Sequence, residues 1–374
     1  MMMEIAEGVF KLVDSVTRLN RRIRQVCSEK GYSYTQAKRE RHTLMHDVPE
    51  IARIWIRRRT IKRLLKLYGK ADQRTDAWLL KRGEMITASE VCKAFASATP
   101  SARKEMLMRK VFPKESAAQG GGPSMTACLW GTQFEPIAKE IYESLQGGAK
   151  VVDTTCVVHP KYPFLGASPD GIVLMKNLLD PDWGKLVEFK CPISRKFTQD
   201  TAIPDAYYHQ MQMQMECTGI DTCDYCEMQF VRCNQTDWRA STSPYKGVLA
   251  VYDSGVIVYK PQDDVLLEWK KTLTDDEYRL VFWTLENIRI EAVPKDPRWL
   301  DTHLADLQAF WAMVQECRAD PSKMETYIQK TDPPCAPSET LVVEVARPVE
   351  TPATAGGSST GRTMILRLDD DAPP

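Results

Sequence analysis

Long amphipathic segments alternate with short apolar runs along the chain, and the period of each run predicts its element. Ile5, Val9, Leu12, Val13, Val16, Leu19, Ile23 and Val26 recur every three or four positions, so residues 4–31 read as a helix stopped by Gly31. A second helical pattern runs from Val48 to Tyr68 through Ile51, Ile54, Ile56, Ile61, Leu64, Leu65 and Leu67. Arg57, Arg58, Arg59, Lys62, Arg63 and Lys66 crowd it. Further on, Thr87 or Ser89 is placed to cap a helix through Val91 and Phe95. Gly120-Gly121-Gly122 marks a loop over 116–123. A helix from about Gly131 buries Phe134, Ile137, Ala138, Ile141, Tyr142 and Leu145, and Gly147-Gly148 ends it. Strand patterns fall at 150–158, 171–175, 186–190, 224–231 and 247–259, and helical ones at 204–218, 263–292 and 301–318. After Asp332 the composition turns to Pro, Ser, Thr, Gly and Ala, which predicts a disordered tail.

This order predicts a mixed sheet with helices packed around it, in the α/β (α+β) class. Three parts follow: a basic helical extension over 1–72, a central domain over 73–331 and an acidic tail over 332–374.

Charge sharpens that division. The chain's 50 basic and 50 acidic residues cancel, yet they are segregated. Residues 1–72 carry 17 Lys and Arg against 8 Asp and Glu, whereas 261–374 carry 12 against 21. A basic end suits a polyanion, so the zero sum does not argue against nucleic acid. No apolar run is long enough to span a bilayer, and no secretory leader is evident. The 11 cysteines, irregularly spaced, then read as reduced thiols in an intracellular compartment. Cys217, Cys223, Cys226 and Cys233 have a spacing that superficially suits a metal. A strand through Cys223 and Cys226 would point them to opposite faces and defeat joint ligation.

The candidate chemistry lies between 135 and 210. Asp170 sits in a Ser-Pro-Asp-Gly turn between two strands, and Glu188 and Lys190 follow on one face of the strand Val187-Glu188-Phe189-Lys190. Each residue alone reads as an ordinary turn or surface charge. Together, two carboxylates and an ammonium at one sheet end call for a metal or ligand. Carboxylates are hard ligands for Mg²⁺ or Mn²⁺, and the Phe189 carbonyl is a further donor. Lys190 would offset charge and orient or help deprotonate an attacking water.

Pro169-Asp170 followed by Glu188-x-Lys190 resembles the signature of the PD-(D/E)XK nucleases. The flanking residues narrow the resemblance to the phage lambda exonuclease and YqaJ-like viral recombinase family, of the alkaline-exonuclease type. Its motifs are similar to Trp78, Arg82 and Ile86-Thr87-Ala88-Ser89-Glu90-Val91, then Trp130-Gly131-Thr132-Gln133-Phe134-Glu135. Ala167-Ser168-Pro169-Asp170-Gly171, Glu188-Phe189-Lys190-Cys191-Pro192 and Tyr207-Tyr208-His209-Gln210-Met211-Gln212 complete the series, in the family's order over about 74–217. The resemblance implies a restriction-endonuclease-like core. It makes Asp170, Glu188 and the Phe189 carbonyl metal ligands with Glu135 in support, Lys190 the active-site lysine, and Gln210 a residue holding the site. It gives Arg82 and Ser89 to a terminal 5′ phosphate, which the planar guanidinium suits.

The activity so implied is Mg²⁺- or Mn²⁺-dependent 5′-to-3′ digestion of double-stranded DNA from its ends, in recombination, repair or replication. The family's relatives in large DNA viruses imply a viral source and a location in host cytoplasm or nucleus. A single-strand annealing protein is the implied partner, and a homotrimer the implied assembly. Two alternatives stay open: a structure-specific or nicking endonuclease on the same fold, and a non-catalytic protein that binds DNA ends. His209 reads as structural. The tail segment Met364-Ile365-Leu366-Arg367-Leu368, before Asp369-Asp370-Asp371, has the form of a strand-adding peptide.

Overall fold

A computed structural model describes residues 49–68, 76–113, 123–176, 180–262, 264–274 and 276–329, with a few positions between 25 and 39. Most of the helix expected over 4–31, the loop expected over 116–123 except Pro123, which instead opens a helix, and the tail from Asp332 lie outside the described residues. Gly31 itself has φ 71°, the left-handed conformation of a helix stop.

Helix α1 (Pro49–Tyr68) comes first, then α2 (Asp76–Gly83) and a two-residue strand β1 (Ile86–Thr87). The segment Ala88–Ala94 is a 3₁₀ helix. Pro100 opens α3 (Pro100–Val111), and the Thr99 side chain accepts from the Ala102 N–H at 3.3 Å as its cap. Helix α4 (Pro123–Leu145) leads to β2 (Lys150–Val152), β3 (Val157–Val158), β4 (Leu165–Ala167), β5 (Gly171–Leu174) and β6 (Leu186–Lys190). Helix α5 (Asp205–Thr218) ends at Gly219, whose φ of 74° closes the last turn. Then come β7 (Thr222–Cys233), α6 (Gln235–Ala240), the hairpin β8 (Lys246–Tyr252) and β9 (Ile257–Tyr259), and α7 (Leu266–Lys270). Strand β10 (Tyr278–Pro294) and helices α8 (Trp299–Ala319) and α9 (Lys323–Gln329) complete the order.

Among the described residues, the main sheet has seven strands in the order β2-β5-β6-β7-β10-β8-β9, and β1-β4-β3 form a small second sheet. Strands β6 and β7 pair in parallel, while β5–β6 and β7–β10 are antiparallel. The mixed α/β class is therefore as the pattern predicts. On one face, α4 lays Trp130, Phe134, Ile137 and Tyr142 against Val187, Phe189, Cys226 and Phe230. The second core joins α1, α3, α5 and α8 through Ile61, Leu64, Met106, Met211, Met213, Leu307 and Phe310, together with Leu186 and Tyr225 from the sheet.

Several expectations are corrected. Residues 278–294 form the longest strand, not part of a helix over 263–292. Val281, Trp283 and Leu285 are buried at every second position, and a bulge between Leu285 and Asn287 breaks the alternation. The 150–158 run divides into β2 and β3, which belong to different sheets. The 247–259 run is a hairpin, turned at Gly255 with φ 87°. On α1 the apolar stripe is narrower than its spacing suggests. Ile61 and Leu64 are buried, but Ile56 and Leu67 are 66% and 58% exposed. Arg57, by contrast, is buried. Its guanidinium donates to the carbonyls of Pro181 at 2.5 Å and Trp183 at 3.2 Å and pairs with Asp221 at 2.7 Å.

Candidate active site

Strand β6 is the backbone of the site. Glu188 and Lys190 point to the face covered by α5, and Phe189 points into the opposite core against Tyr142. Because β5 runs antiparallel to β6 with Gly171 opposite Val187, the Asp170 turn lies beside the middle of β6. Asp170 is tied there by the Phe189 N–H, which donates to its Oδ2 at 2.8 Å. Gly171 is needed at this approach, since a Cβ on it would lie 2.1 Å from the Val151 side chain.

Glu188 is buried and held from three sides. Lys190 Nζ and Gln210 Nε2 both reach its Oε1 at 2.5 Å, and Gln214 Nε2 donates to its Oε2 at 2.6 Å. Gln210 and Gln214 are four apart on α5 and so share one face of it. Lys190 Nζ also donates to Gln210 Oε1 at 3.3 Å and lies 4.7 Å from the centre of the Tyr207 ring. Next to Lys190 in register is the buried Glu227, which Arg195 grips while bonding Tyr225 Oη at 3.0 Å.

The electrostatics are those of crowded carboxylates. Burial pushes the Asp170 carboxyl well up, and the charges of Glu188 and Glu135 push it further; Lys190 and the Phe189 N–H only partly oppose them. Burial alone would lower the Lys190 ammonium, but Glu188 and Asp170 overturn that and hold it above the ordinary lysine range. Glu135, on α4, is thus near enough for its charge to be felt at Asp170.

The donor set suits a hard divalent cation: the Asp170 carboxylate in the turn before β5, the Glu188 carboxylate on β6 and the backbone carbonyl of Phe189 on the same strand. Among the described residues, no three His, Cys, Asp or Glu side chains stand grouped as a ready metal cage. Both Glu188 oxygens accept hydrogen bonds, from Lys190, Gln210 and Gln214. Mg²⁺ needs no such cage, since it keeps several waters and commonly rests on one or two carboxylates plus phosphate.

Arg82 and Ser89 come together in a second pocket. Arg82 Nη2 donates to Ser89 Oγ at 3.0 Å and Thr87 Oγ1 at 3.3 Å. Its guanidinium lies 4.4 Å from the Trp78 ring centre, and the Trp78 indole donates to Ser168 Oγ at 3.3 Å, two residues before Asp170. The two pockets are therefore joined through one tryptophan. Thr87 is the N-cap of the helix expected there, although that helix is 3₁₀ rather than α; its N–H and hydroxyl donate to Glu90 Oε1.

Gln214, Arg195 and Glu227 were not among the sequence candidates. Gln214 had a signal, its spacing of four from Gln210 on a helix. Arg195 and Glu227 had none, since a loop and a distant strand bring them together. His209 accepts from the Trp299 indole at 2.8 Å and packs on Phe95, away from the carboxylates. Cys223 and Cys226 enter opposite cores, as strand alternation requires.

Residues 77–221 match the YqaJ-like viral recombinase domain. An uncharacterized protein of Acanthamoeba polyphaga mimivirus is 28% identical over 184 residues, which cover 46% of this chain and 32% of that protein. The match thus spans about a third of that relative. A protein of African swine fever virus is 23% identical over 318 residues, covering 68% of this chain and 90% of its own length. Among solved structures, an alkaline exonuclease from Laribacter hongkongensis has a TM-score of 0.40 at 21% identity, covering 68% of this chain and 97% of that one. The site motifs from Trp78 to Gln212 thus lie within the stretch, residues 77–221, that is similar to the YqaJ-like viral recombinase domain.

Proposed function

We propose that the chain is a metal-dependent deoxyribonuclease that degrades double-stranded DNA from its ends in the 5′-to-3′ direction. One observation carries the reading: Asp170, Glu188 and Lys190 meet at the β5–β6 edge, with Glu188 fixed by Lys190, Gln210 and Gln214. A protein that only bound DNA would have no use for two carboxylates pressed together against their mutual repulsion. The recombinase-domain match supports a role on DNA.

In this reading Asp170, Glu188 and the Phe189 carbonyl hold Mg²⁺ or Mn²⁺, with Glu135 in support. The cation supplies Lewis acidity to a water and to the scissile phosphate. Lys190, kept charged by its carboxylate neighbours, donates a hydrogen bond to the phosphate or the water and offsets negative charge. Gln210 and Gln214 keep Glu188 in one rotamer. Arg82 and Ser89 take the terminal 5′ phosphate, which sets where on the strand the carboxylates act. The 3′ overhang so exposed feeds an annealing partner. Residues 73–331 carry this chemistry, and the basic segment 1–72 is accessory to it.

The test is cleavage with Mg²⁺ or Mn²⁺ of linear duplex with and without 5′ phosphates, beside a covalently closed circle. Mononucleotides from the phosphorylated linear duplex, with the circle intact, are expected. A nicked or linearised circle would replace this reading with an endonuclease, and no product from any substrate would leave a binding protein.

A further inference from the structure

The Arg82–Ser89 pocket holds more positive charge than the sequence motif accounts for. Glu90 is the carboxylate at its centre, and three cations surround it. Lys110, itself buried, grips Glu90 Oε1 and donates to the Arg82 carbonyl at 2.8 Å. Arg109 Nη2 stands 3.5 Å from Glu90 Oε2. Arg82 reaches the same carboxylate through Thr87. The neighbouring Lys93–Glu105 pair, at 2.8 Å, adds no net charge. Arg82, Arg109 and Lys110 against Glu90 therefore leave a surplus of two positive charges beside an exposed Ser89 hydroxyl.

Burial draws the Arg82 guanidinium down, Glu90 pulls it back, and the like charge of Arg109 adds to the depression. The two guanidiniums thus act on each other. Arg109 is the one with freedom to do more. Its side chain is 41% exposed, its 3.5 Å contacts to Glu90 and Glu105 are loose, and its buried Nε has no hydrogen-bond partner among the described residues. Such a fork is preorganised for two oxygens of one phosphate.

We propose that Arg109 is a second guanidinium beside Arg82 at the terminal-phosphate site, and the residue that sets how strongly a phosphomonoester is preferred over an internal phosphodiester. A terminal monophosphate carries about two negative charges at neutral pH, with a second pKa near about 6, whereas a diester carries one. The inference rests on the exonuclease reading, in which Arg82 and Ser89 take a 5′ phosphate. It adds Arg109 to that set.

The experiment is fluorescence anisotropy of the full chain with 5′-phosphorylated and 5′-hydroxyl duplex in chelator, so that nothing is cleaved. Arg109→Gln should lower the phosphate preference, the ratio of the two affinities, by about tenfold. Arg109→Lys keeps a point charge but loses the fork, so it should recover part of that preference. The wild-type preference should also fall as the pH drops through about 6 and the phosphate gains a proton, and Arg109→Gln should flatten that fall. A preference unchanged by Arg109→Gln, or weakened equally for both ends, overturns the assignment and leaves Arg82 and Ser89 untouched. If Arg109→Gln fails to fold, an unchanged ratio in Arg109→Lys overturns it instead. A wild type indifferent to the phosphate sinks the Arg82–Ser89 reading and this one with it.

Discussion

Gln214 and Gln212 offer a paired test, because they sit two apart on one buried helix and do different work. Gln214 Nε2 donates to Glu188 Oε2 at 2.6 Å. Gln212 Nε2 donates to the Pro294 carbonyl at 2.9 Å, and its Oε1 accepts from the Asp296 N–H at 2.8 Å. Both side chains are fully buried. Methionine has a similar volume, so each Gln→Met change removes hydrogen bonds with little change in packing. Losing the donor to a buried carboxylate should cost about 1.5–3 kcal/mol, and losing two neutral bonds about 2 kcal/mol. Both variants should then melt about 5 °C below the wild type. Their rates should separate. Gln214→Met frees one oxygen of Glu188, and a shift of about 1 Å in a catalytic group costs about 10²-fold in rate. Gln212→Met touches only the β10–α8 connection and should keep its turnover. The assay is calorimetry beside single-turnover cleavage of phosphorylated duplex at 25 °C. Equal rate losses in the two variants would refute the idea that Gln214 works through Glu188.

The raised Asp170 carboxyl has a stability consequence whose sign follows from linkage. In the fold this group holds its proton to higher pH than it does unfolded, so its contribution is present at low pH and is lost as pH rises through the raised pKa. In chelator, the contribution of Asp170 to the melting temperature should fall as pH climbs from about 4 towards neutrality. Asp170→Asn should flatten that slope, raise the neutral-pH melting temperature and abolish cleavage; an Asn variant less stable than wild type in chelator would contradict this. Arg57→Ala leaves the Pro181 and Trp183 carbonyls without their donor and should destabilise the fold by about 3 kcal/mol by urea titration, with cleavage at low temperature retained. A loss below about 0.5 kcal/mol would mean that water replaces the guanidinium there. Gly184 has φ 86°, and a Cβ on it would lie 2.2 Å from Ile61 Cδ1. Gly184→Ala should therefore lower the urea midpoint, and relieving the clash with Ile61→Ala should recover little, because the backbone strain stays.

How much of this was legible in the sequence depends on how local the cause was. The β6 strand was legible to the residue at 186–190, since Val187 and Phe189 alternate with Glu188 and Lys190 and Pro192 closes the run. Helix α5 was legible within one residue, with Pro204 before it and Gly219 after it. Strand β10 was not. Its apolar positions fit both periods over a few turns, and its partners β7 and β8 lie far back in the chain. Nor was the burial of Arg57, which reads as one more solvated charge on a basic helix. Its acceptors are 124 to 164 residues away. The site shows the same division. Asp170, Glu188 and Lys190 are close in sequence and readable as a set. Besides Lys190, what immobilises Glu188 comes from α5, where the spacing of four between Gln210 and Gln214 is a signal that the alternating Met and Gln obscure.

The most direct test of the central claim compares wild type with Lys190→Ala and Glu188→Gln on linear, 5′-phosphorylated duplex, with saturating Mg²⁺ and with chelator. Circular dichroism confirms that each variant is folded. The account predicts acid-soluble nucleotides from wild type with Mg²⁺ alone, and loss of at least about 10³-fold in both variants. Undiminished cleavage by either folded variant, or full wild-type activity in chelator, would contradict it.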